Sequence, residues 1–199
     1  MTPDGLITSE FDDAAIVDEE FDDFDEFDEF DEQDADLELV VLELSTVVGG
    51  DLDDVAAPQV QAVAGAEDLI RSLREVGVAV ALGTASPRPA VDAALDALGW
   101  HRLADLTLTA AEAGRGVPYP DLPLTALLRA GATSVDGMVV VADTPGGIAS
   151  GIAAGAGLVV GVPTGADDED ALLSAGADAV IPSIVDLAAL LGLDDDDAR

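Results

Sequence analysis

The chain contains no lysine and no cysteine, and each absence removes a class of chemistry. Without lysine there is no Schiff-base chemistry and no lysine to assist at a phosphate or metal site. Without cysteine there is no disulfide framework, no thiolate nucleophile and no zinc–thiolate site. The seven basic residues are all arginine. Because nucleic-acid binding needs a basic surface that releases counterions from phosphates, we expect no nucleic-acid partner.

Long apolar runs are also lacking. No stretch reaches the roughly 18 apolar residues of a membrane span, and the N-terminus lacks the basic start and apolar run of a signal peptide. We therefore expect a cytoplasmic protein that does not bind membranes.

Aromatic residues are scarce, and their distribution is uneven. They make up 4% of the 199 residues, whereas 49% are hydrophobic, so a core must be built from Val, Leu, Ile and Ala. The length suits one ordinary domain. All five phenylalanines lie in the first 30 residues: Phe11, Phe21, Phe24, Phe27 and Phe30.

The first 36 residues form a low-complexity acidic tail. Residues 1–38 hold 18 Asp or Glu and no basic residue, part of a formal net charge of −35. Charge repulsion at this density disfavours a compact state, so we expect the tail to be disordered when free. Phe21, Phe24, Phe27 and Phe30 recur every three residues among the acids. Such apolar anchors suit a partner groove with a basic rim, and we expect a protein partner to bind them.

From residue 37 to residue 193 the pattern changes to apolar runs alternating with amphipathic stretches. This alternation predicts an α/β domain, a Rossmann-like three-layer sandwich with a mainly parallel sheet. The predicted strands are Leu39–Leu44, Val78–Leu82, Leu106–Thr109, Met138–Ala142, Leu158–Val162 and Ala179–Ile181. The predicted helices are Gln59–Val76, Arg88–Leu98, Asp121–Ala130, Gly147–Ala154, Asp168–Ala175 and Ile184–Leu191. Residues 194–199 form an acidic C-terminal end that we expect to fray.

Polar residues follow several of the predicted strands. In open α/β sheets, chemistry collects at the carboxyl ends of the strands, and here those ends carry Glu43, Thr84, Arg115 and Asp143. A carboxylate, a hydroxyl, a cation and a second carboxylate at one edge suit phosphoryl transfer.

Their order and spacing resemble the haloacid dehalogenase superfamily, in its phosphonatase-like and phosphoglycolate-phosphatase-like branch. Residues 78–84, with the helix at 88–100, resemble its second motif. Residues 114–121 resemble the segment that holds the third-motif cation, and residues 139–145 resemble its fourth motif. The resemblance covers residues 39–191. It implies a phosphatase-type fold, a small phosphorylated metabolite as ligand and Mg²⁺ as cofactor.

The chain departs from the family pattern at two motifs. The place of the nucleophilic Asp is taken by Glu43, and the acid/base position two residues later by Ser45. In the fourth motif Asp143 stands at the first acidic position, whereas the second corresponds to Gly147. The resemblance therefore implies a metal site of Glu43 and Asp143 that binds Mg²⁺ weakly or not at all. About forty residues separate Glu43 from Thr84, so the helical cap usual in this branch is also expected to be missing.

Each of these residues also has a structural interpretation. Glu43 could be a polar strand end, Thr84 a turn hydroxyl, Arg115 a surface cation and Asp143 a helix cap. His101, the single histidine, lies beside a tryptophan at a predicted helix end and is expected to pack or lie at the surface.

Two functions follow from the sequence. In the first, the domain is a catalytically degenerate phosphatase fold that acts by binding a partner through its tail, with a vestigial anion or metabolite site at Thr84, Arg115 and Asp143. In the second, it is a Mg²⁺-dependent phosphohydrolase of phosphate esters or acyl phosphates, with Glu43 as an unusual nucleophile. Fold resemblance does not decide between them.

Overall fold

The computed structural model describes residues 36–51, 59–165 and 167–193. The predicted tail, except for its last residue, and the acidic end at 194–199 lie outside the described residues. The strands are β1 (Leu39–Glu43), β2 (Val48–Asp51), β3 (Gln59–Ala62), β4 (Ala79–Thr84), β5 (Leu106–Thr109), β6 (Met138–Ala142), β7 (Leu158–Gly161) and β8 (Ala179–Val180). The helices are α1 (Leu44–Val47), α2 (Ala66–Glu75), α3 (Arg88–Leu98), α4 (Ala110–Ala113), α5 (Asp121–Ala130), α6 (Pro145–Ala154), α7 (Glu169–Ser174) and α8 (Leu187–Leu190), with a 3₁₀ turn at Ile184–Asp186.

Six strands form a parallel sheet in the order β5-β4-β1-β6-β7-β8, which confirms the predicted fold class and all six predicted strands within one to two residues. The central strands β1 and β6 are almost continuously apolar because both of their faces are covered. Helices α2 and α3 and the C-terminal turns pack on one face, and α5, α6 and α7 pack on the other. The three layers of the prediction are therefore confirmed.

One predicted helix is wrong in its first half. Residues Gln59–Ala62 form strand β3, which pairs antiparallel with β2 in a small hairpin, and the helix itself begins at Ala66. Val60 is half-buried and packs on the main core, whereas the two flanking glutamines are exposed, the alternation typical of a strand. Gly65, with a φ angle of 80°, then adopts a left-handed conformation that turns the chain before the helix starts.

Within the described residues no helix is both long enough and apolar enough to cross a membrane.

A polar link between Arg74 and Asp105 joins the end of α2 to the start of β5. The Arg74 Nε donates to both oxygens of Asp105, at 3.0 and 3.1 Å, and Nη1 donates to two backbone carbonyls. Asp105 Oδ2 also accepts the backbone N–H of Val80 at 2.9 Å. One carboxylate therefore ties a helix end and two strands together.

We expect Asp105→Ala to lower the free energy of unfolding by about 1–3 kcal/mol, because it leaves the buried Val80 N–H without its acceptor and removes the Arg74 pair. Asp105→Asn retains an acceptor oxygen and should lose less than half as much. Urea unfolding of the two variants and the parent chain measures the difference, and equal losses would show that the ion pair alone stabilises the link.

Candidate active site

The carboxyl ends of β1 and β6 bring two carboxylates together. Glu43 is the last residue of β1, and Asp143 directly follows β6, the strand beside it. The backbone N–H of Asp143 lies 3.4 Å from Glu43 Oε2 and donates to it. The two acidic residues that the sequence places at the first and fourth motifs therefore form one site.

Asp143 is held by two hydroxyl groups. Its side chain is buried, with 5% of the residue exposed. Ser45 Oγ donates to Oδ1 at 2.9 Å, and Thr164 Oγ1 donates to Oδ2 at 2.9 Å. Sequence reasoning singled out Ser45 but missed Thr164. The signal that could have found it is its position in the loop directly after β7, the other neighbour of β6.

Glu43 carries an unfavourable charge in this setting. Burial raises its pKa, repulsion from the Asp143 carboxylate raises it further, and the result is a pKa of about 7. Near neutral pH, Glu43 is therefore shifted toward its protonated form. A protonated carboxyl is not a nucleophile.

Gly147 leaves no room for the second acidic residue of the family pattern. A Cβ atom added there would lie 2.6 Å from the Cβ of Ala142 and 2.7 Å from Glu43 Oε2. The first turn of α6 thus approaches the end of β6 too closely for any side chain. Thr144 caps this helix through a 3.0 Å hydrogen bond from the Gly147 N–H, which fixes the close approach.

Thr84 ends strand β4 and reaches the same edge. It is buried, with 8% of the residue exposed, and its hydroxyl accepts the backbone N–H of Ser86 at 3.1 Å. The hydroxyl thus closes a turn, as the structural interpretation expected, while the residue also lines the cavity described below.

Arg115 is not brought to the two carboxylates. Its guanidinium forms a bidentate pair with Asp121, with a shortest distance of 2.7 Å, and lies 4.2 Å from the centre of the Tyr119 ring. These hydrogen bonds hold the pKa of Asp121 below its usual value. Arg115, the cation expected to contact an anion, therefore pairs with Asp121, the first residue of α5. His101 is also outside the site, exposed and in contact with Asp96.

A cavity of about 50 Å³ opens between the strand ends and helices α5 and α6. Its polar lining includes Glu43, Thr84 and Ser150, and most of the rest is apolar, with Val117 and Leu122 on the helix side. None of the arginines in the described ranges lines it. The volume holds a few water molecules, so a larger ligand must extend out of it.

Comparison with known proteins agrees with this geometry. The family model described as haloacid dehalogenase-like hydrolase matches residues 9–155, well over half of the chain. The chain belongs to the haloacid dehalogenase-like hydrolases. No curated protein matches it.

Solved structures of this family share the fold. A family hydrolase from Deinococcus radiodurans R1, with bound phosphate and sodium, is 23% identical at a TM-score of 0.68, over 80% of this chain and 97% of that one. A hydrolase from Pseudomonas syringae is 27% identical (TM-score 0.61; 67% and 60% covered). A phosphonoacetaldehyde hydrolase-like protein from Oleispira antarctica is also 27% identical (TM-score 0.60; 66% and 56% covered).

Haloacid dehalogenase-like hydrolases usually use Mg²⁺, and two side chains here have the chemistry to hold it. Glu43 and Asp143 supply hard oxygen donors, and a cation or a proton would offset the charge of this pair, in which Asp143 is buried and Glu43 half-buried. In the described residues no third acid, histidine or cysteine joins them in a metal-holding group. Water and a bound ligand would therefore have to supply the remaining positions.

The raised pKa of Glu43 predicts a specific dependence of stability on pH. Folding favours the protonated carboxyl, so its stabilising contribution is complete below the ordinary pKa of 4.5 and is lost as the pH rises through about 7. Glu43→Gln stays neutral throughout. We expect it to gain about 1–3 kcal/mol in unfolding free energy over the parent chain between about pH 5 and about pH 8.

Urea unfolding across this range measures the gain. Glu75→Gln removes the same charge from an exposed helix position and serves as the control. A gain that does not change with pH, or that Glu75→Gln reproduces, would contradict the raised pKa.

Proposed function

We propose that this chain is a haloacid dehalogenase-fold protein that acts by binding and has lost ordinary phosphohydrolase turnover. The observation that carries the proposal is the contacts and the raised pKa of Glu43, which stands at the position of the family's nucleophilic Asp. Its Oε2 accepts the Asp143 N–H and lies against the first turn of α6, and its pKa of about 7 keeps it partly protonated. A nucleophile needs a free, charged oxygen aimed at the ligand.

The charges around the cavity support the same conclusion. A phosphate dianion entering it would meet Glu43, whose neighbour is Asp143, with no arginine among the lining residues. Arg115 is held by Asp121 and Tyr119. An anion or metabolite would therefore bind only together with a cation that offsets the two carboxylates.

The acid/base position also lacks a group suited to proton transfer. Ser45, at the acid/base position, donates its hydrogen to Asp143 and has no pKa near neutrality. The extra methylene of Glu43 also displaces the attacking oxygen, and attack in line with the leaving group tolerates little displacement.

The binding activity itself is assigned to the tail. Residues 1–36 combine 4 regularly spaced phenylalanines, from Phe21 to Phe30, with a dense negative charge. Aromatic anchors flanked by acids favour a partner protein whose groove is apolar with a basic rim.

A second candidate is a phosphohydrolase acting on small phosphate esters or acyl phosphates. The contact between Glu43 and Asp143 at the carboxyl edge, in a member of this hydrolase family, favours it. In this case the deprotonated Glu43 would attack phosphorus, the bond to the leaving oxygen would break, and water would then hydrolyse the acyl phosphate. An acyl phosphate substrate suits the site better because its leaving carboxylate needs no proton.

An activity assay separates the two candidates. We expect the parent chain to show no turnover of p-nitrophenyl phosphate or acetyl phosphate with Mg²⁺ above that of Glu43→Ala. Glu43→Asp shortens the side chain, and we expect it to show activity about 10²-fold above the Glu43→Ala background, because in-line attack tolerates little displacement of the attacking oxygen. Glu75→Asp, the same change at an exposed helix position, is the matched control.

Turnover by the parent chain that Glu43→Ala abolishes would overturn the binding proposal and establish the hydrolase. A Glu43→Asp variant that stays inactive would leave the binding proposal in place and show that the loss extends beyond the nucleophile.

For the tail, we expect replacement of Phe21, Phe24, Phe27 and Phe30 by serine in the full chain to abolish partner capture while leaving the charge unchanged. Pull-down from lysate with the parent and the variant, followed by direct titration of the captured protein, measures this. Capture that survives the serine variant but is lost in high salt would show that charge alone recruits the partner.

A further inference from the structure

Thr164 lies in the loop that follows β7 and reaches over Asp143. The residue is exposed, yet its hydroxyl donates to the buried Asp143 Oδ2 at 2.9 Å. Its own backbone N–H donates to the carbonyl of Val162 at 2.8 Å, which fixes the turn. The next residue, Gly165, also passes close, since an added Cβ would lie 3.6 Å from Oδ2. Two consecutive loop residues, Thr164 and Gly165, therefore lie close to this carboxylate.

The sheet order explains why two hydroxyls reach Asp143 from opposite sides. β6 lies between β1 and β7. Ser45 follows β1 and takes Oδ1, whereas Thr164 follows β7 and takes Oδ2. Each neighbouring strand therefore contributes one hydrogen bond to one oxygen of the carboxylate, and together they fix its orientation.

We propose that Thr164 is a positioning residue that, with Ser45, sets the affinity of Asp143 for a divalent cation. The proposal rests on the cation site at Glu43 and Asp143 but does not depend on turnover. A carboxylate oxygen has two lone pairs, so one hydroxyl bond to each oxygen leaves a second lone pair free for a metal. A hydrogen-bonded partner that orients a metal ligand typically contributes 10–100-fold to metal affinity.

A hydroxyl that competed with the cation for the same oxygen would have the opposite effect. The geometry favours orientation over competition. The two hydroxyls occupy different oxygens, so each oxygen keeps a lone pair for the cation, and both hydrogen bonds constrain the rotation of this buried carboxylate. The direction of the change in affinity distinguishes the two effects.

The test measures binding of Mn²⁺, as a probe, to the full chain by calorimetry. Because the tail carboxylates also bind cations, Asp143→Asn supplies the background that is subtracted. Thr164→Val removes the hydroxyl at constant shape, and Thr164→Ser retains it. Thr164→Val removes a hydrogen bond to the buried Asp143 carboxylate, so we expect it to lower the free energy of unfolding, and Thr164→Ser to lower it less; urea unfolding confirms that both variants are fully folded under the conditions of the titration.

We expect Thr164→Val to weaken the Asp143-dependent Mn²⁺ binding by about 10–100-fold and Thr164→Ser to restore it to within about threefold. Equal or tighter binding in Thr164→Val overturns the proposal, and so does a Thr164→Ser variant as weak as Thr164→Val. Absence of any Asp143-dependent Mn²⁺ binding in the parent also overturns it. None of these outcomes bears on the turnover assays, so the failure of one proposal is distinguishable from the failure of the other.

Discussion

Repulsion between two carboxylates at the ends of adjacent central strands is the constraint that shapes the carboxyl edge of this domain. Parallel pairing of β1 with β6 places Glu43 beside the backbone of Asp143, where solvent is largely excluded. Taking charges out of water is costly unless they are paired. In the described residues the available compensation comes from hydroxyls, a backbone N–H and a proton on Glu43, since no arginine lines the cavity.

The strands and the helix around this pair are closely packed, so they do not move apart to relieve the repulsion between the two carboxylates. The strands that carry the acids are buried along their length, and α6 is capped by Thr144 and packed against Ala142 without an intervening side chain. Close-packed elements of this kind cannot shift continuously to separate two charges. Stability alone would not favour a half-buried Glu43 beside a buried Asp143, and departures of this kind from local consistency are common at functional sites.

The fold followed from the sequence because its signals are local. Apolar runs alternating with amphipathic stretches predicted the six parallel strands. The hairpin of β2 and β3 and the four-residue helices α1 and α4 were missed, since four residues are too few to show a period. The meeting of Glu43 with Asp143 also followed, because parallel strand ends share one edge. Thr164 and the capture of Arg115 by Asp121 did not follow. Both depend on how loops fold back, and no spacing in the chain encodes that.

Gly147 has one explanation in the family pattern and another in the structure. Compared with the family pattern, it is a lost acid. In the structure it is the residue that permits α6 to begin against Ala142 and leaves space for the longer side chain of Glu43. A glutamate at residue 43 and a side chain at residue 147 would compete for the same volume, so the two departures from the pattern are physically linked.

The charge balance of the chain affects both the acid pair and the acidic tail. With 42 acidic and seven basic residues, and with several of the described arginines already in ion pairs, the protein supplies few free cations of its own. Under the two proposals, the acid pair in the domain and the acidic tail would both take positive charge from outside the chain. A cation from solution can satisfy the first and a basic protein surface the second, and exposed contacts of the second kind weaken with salt more than buried ones do. If both proposals hold, salt dependence separates the ligand of the tail from the ligand of the site.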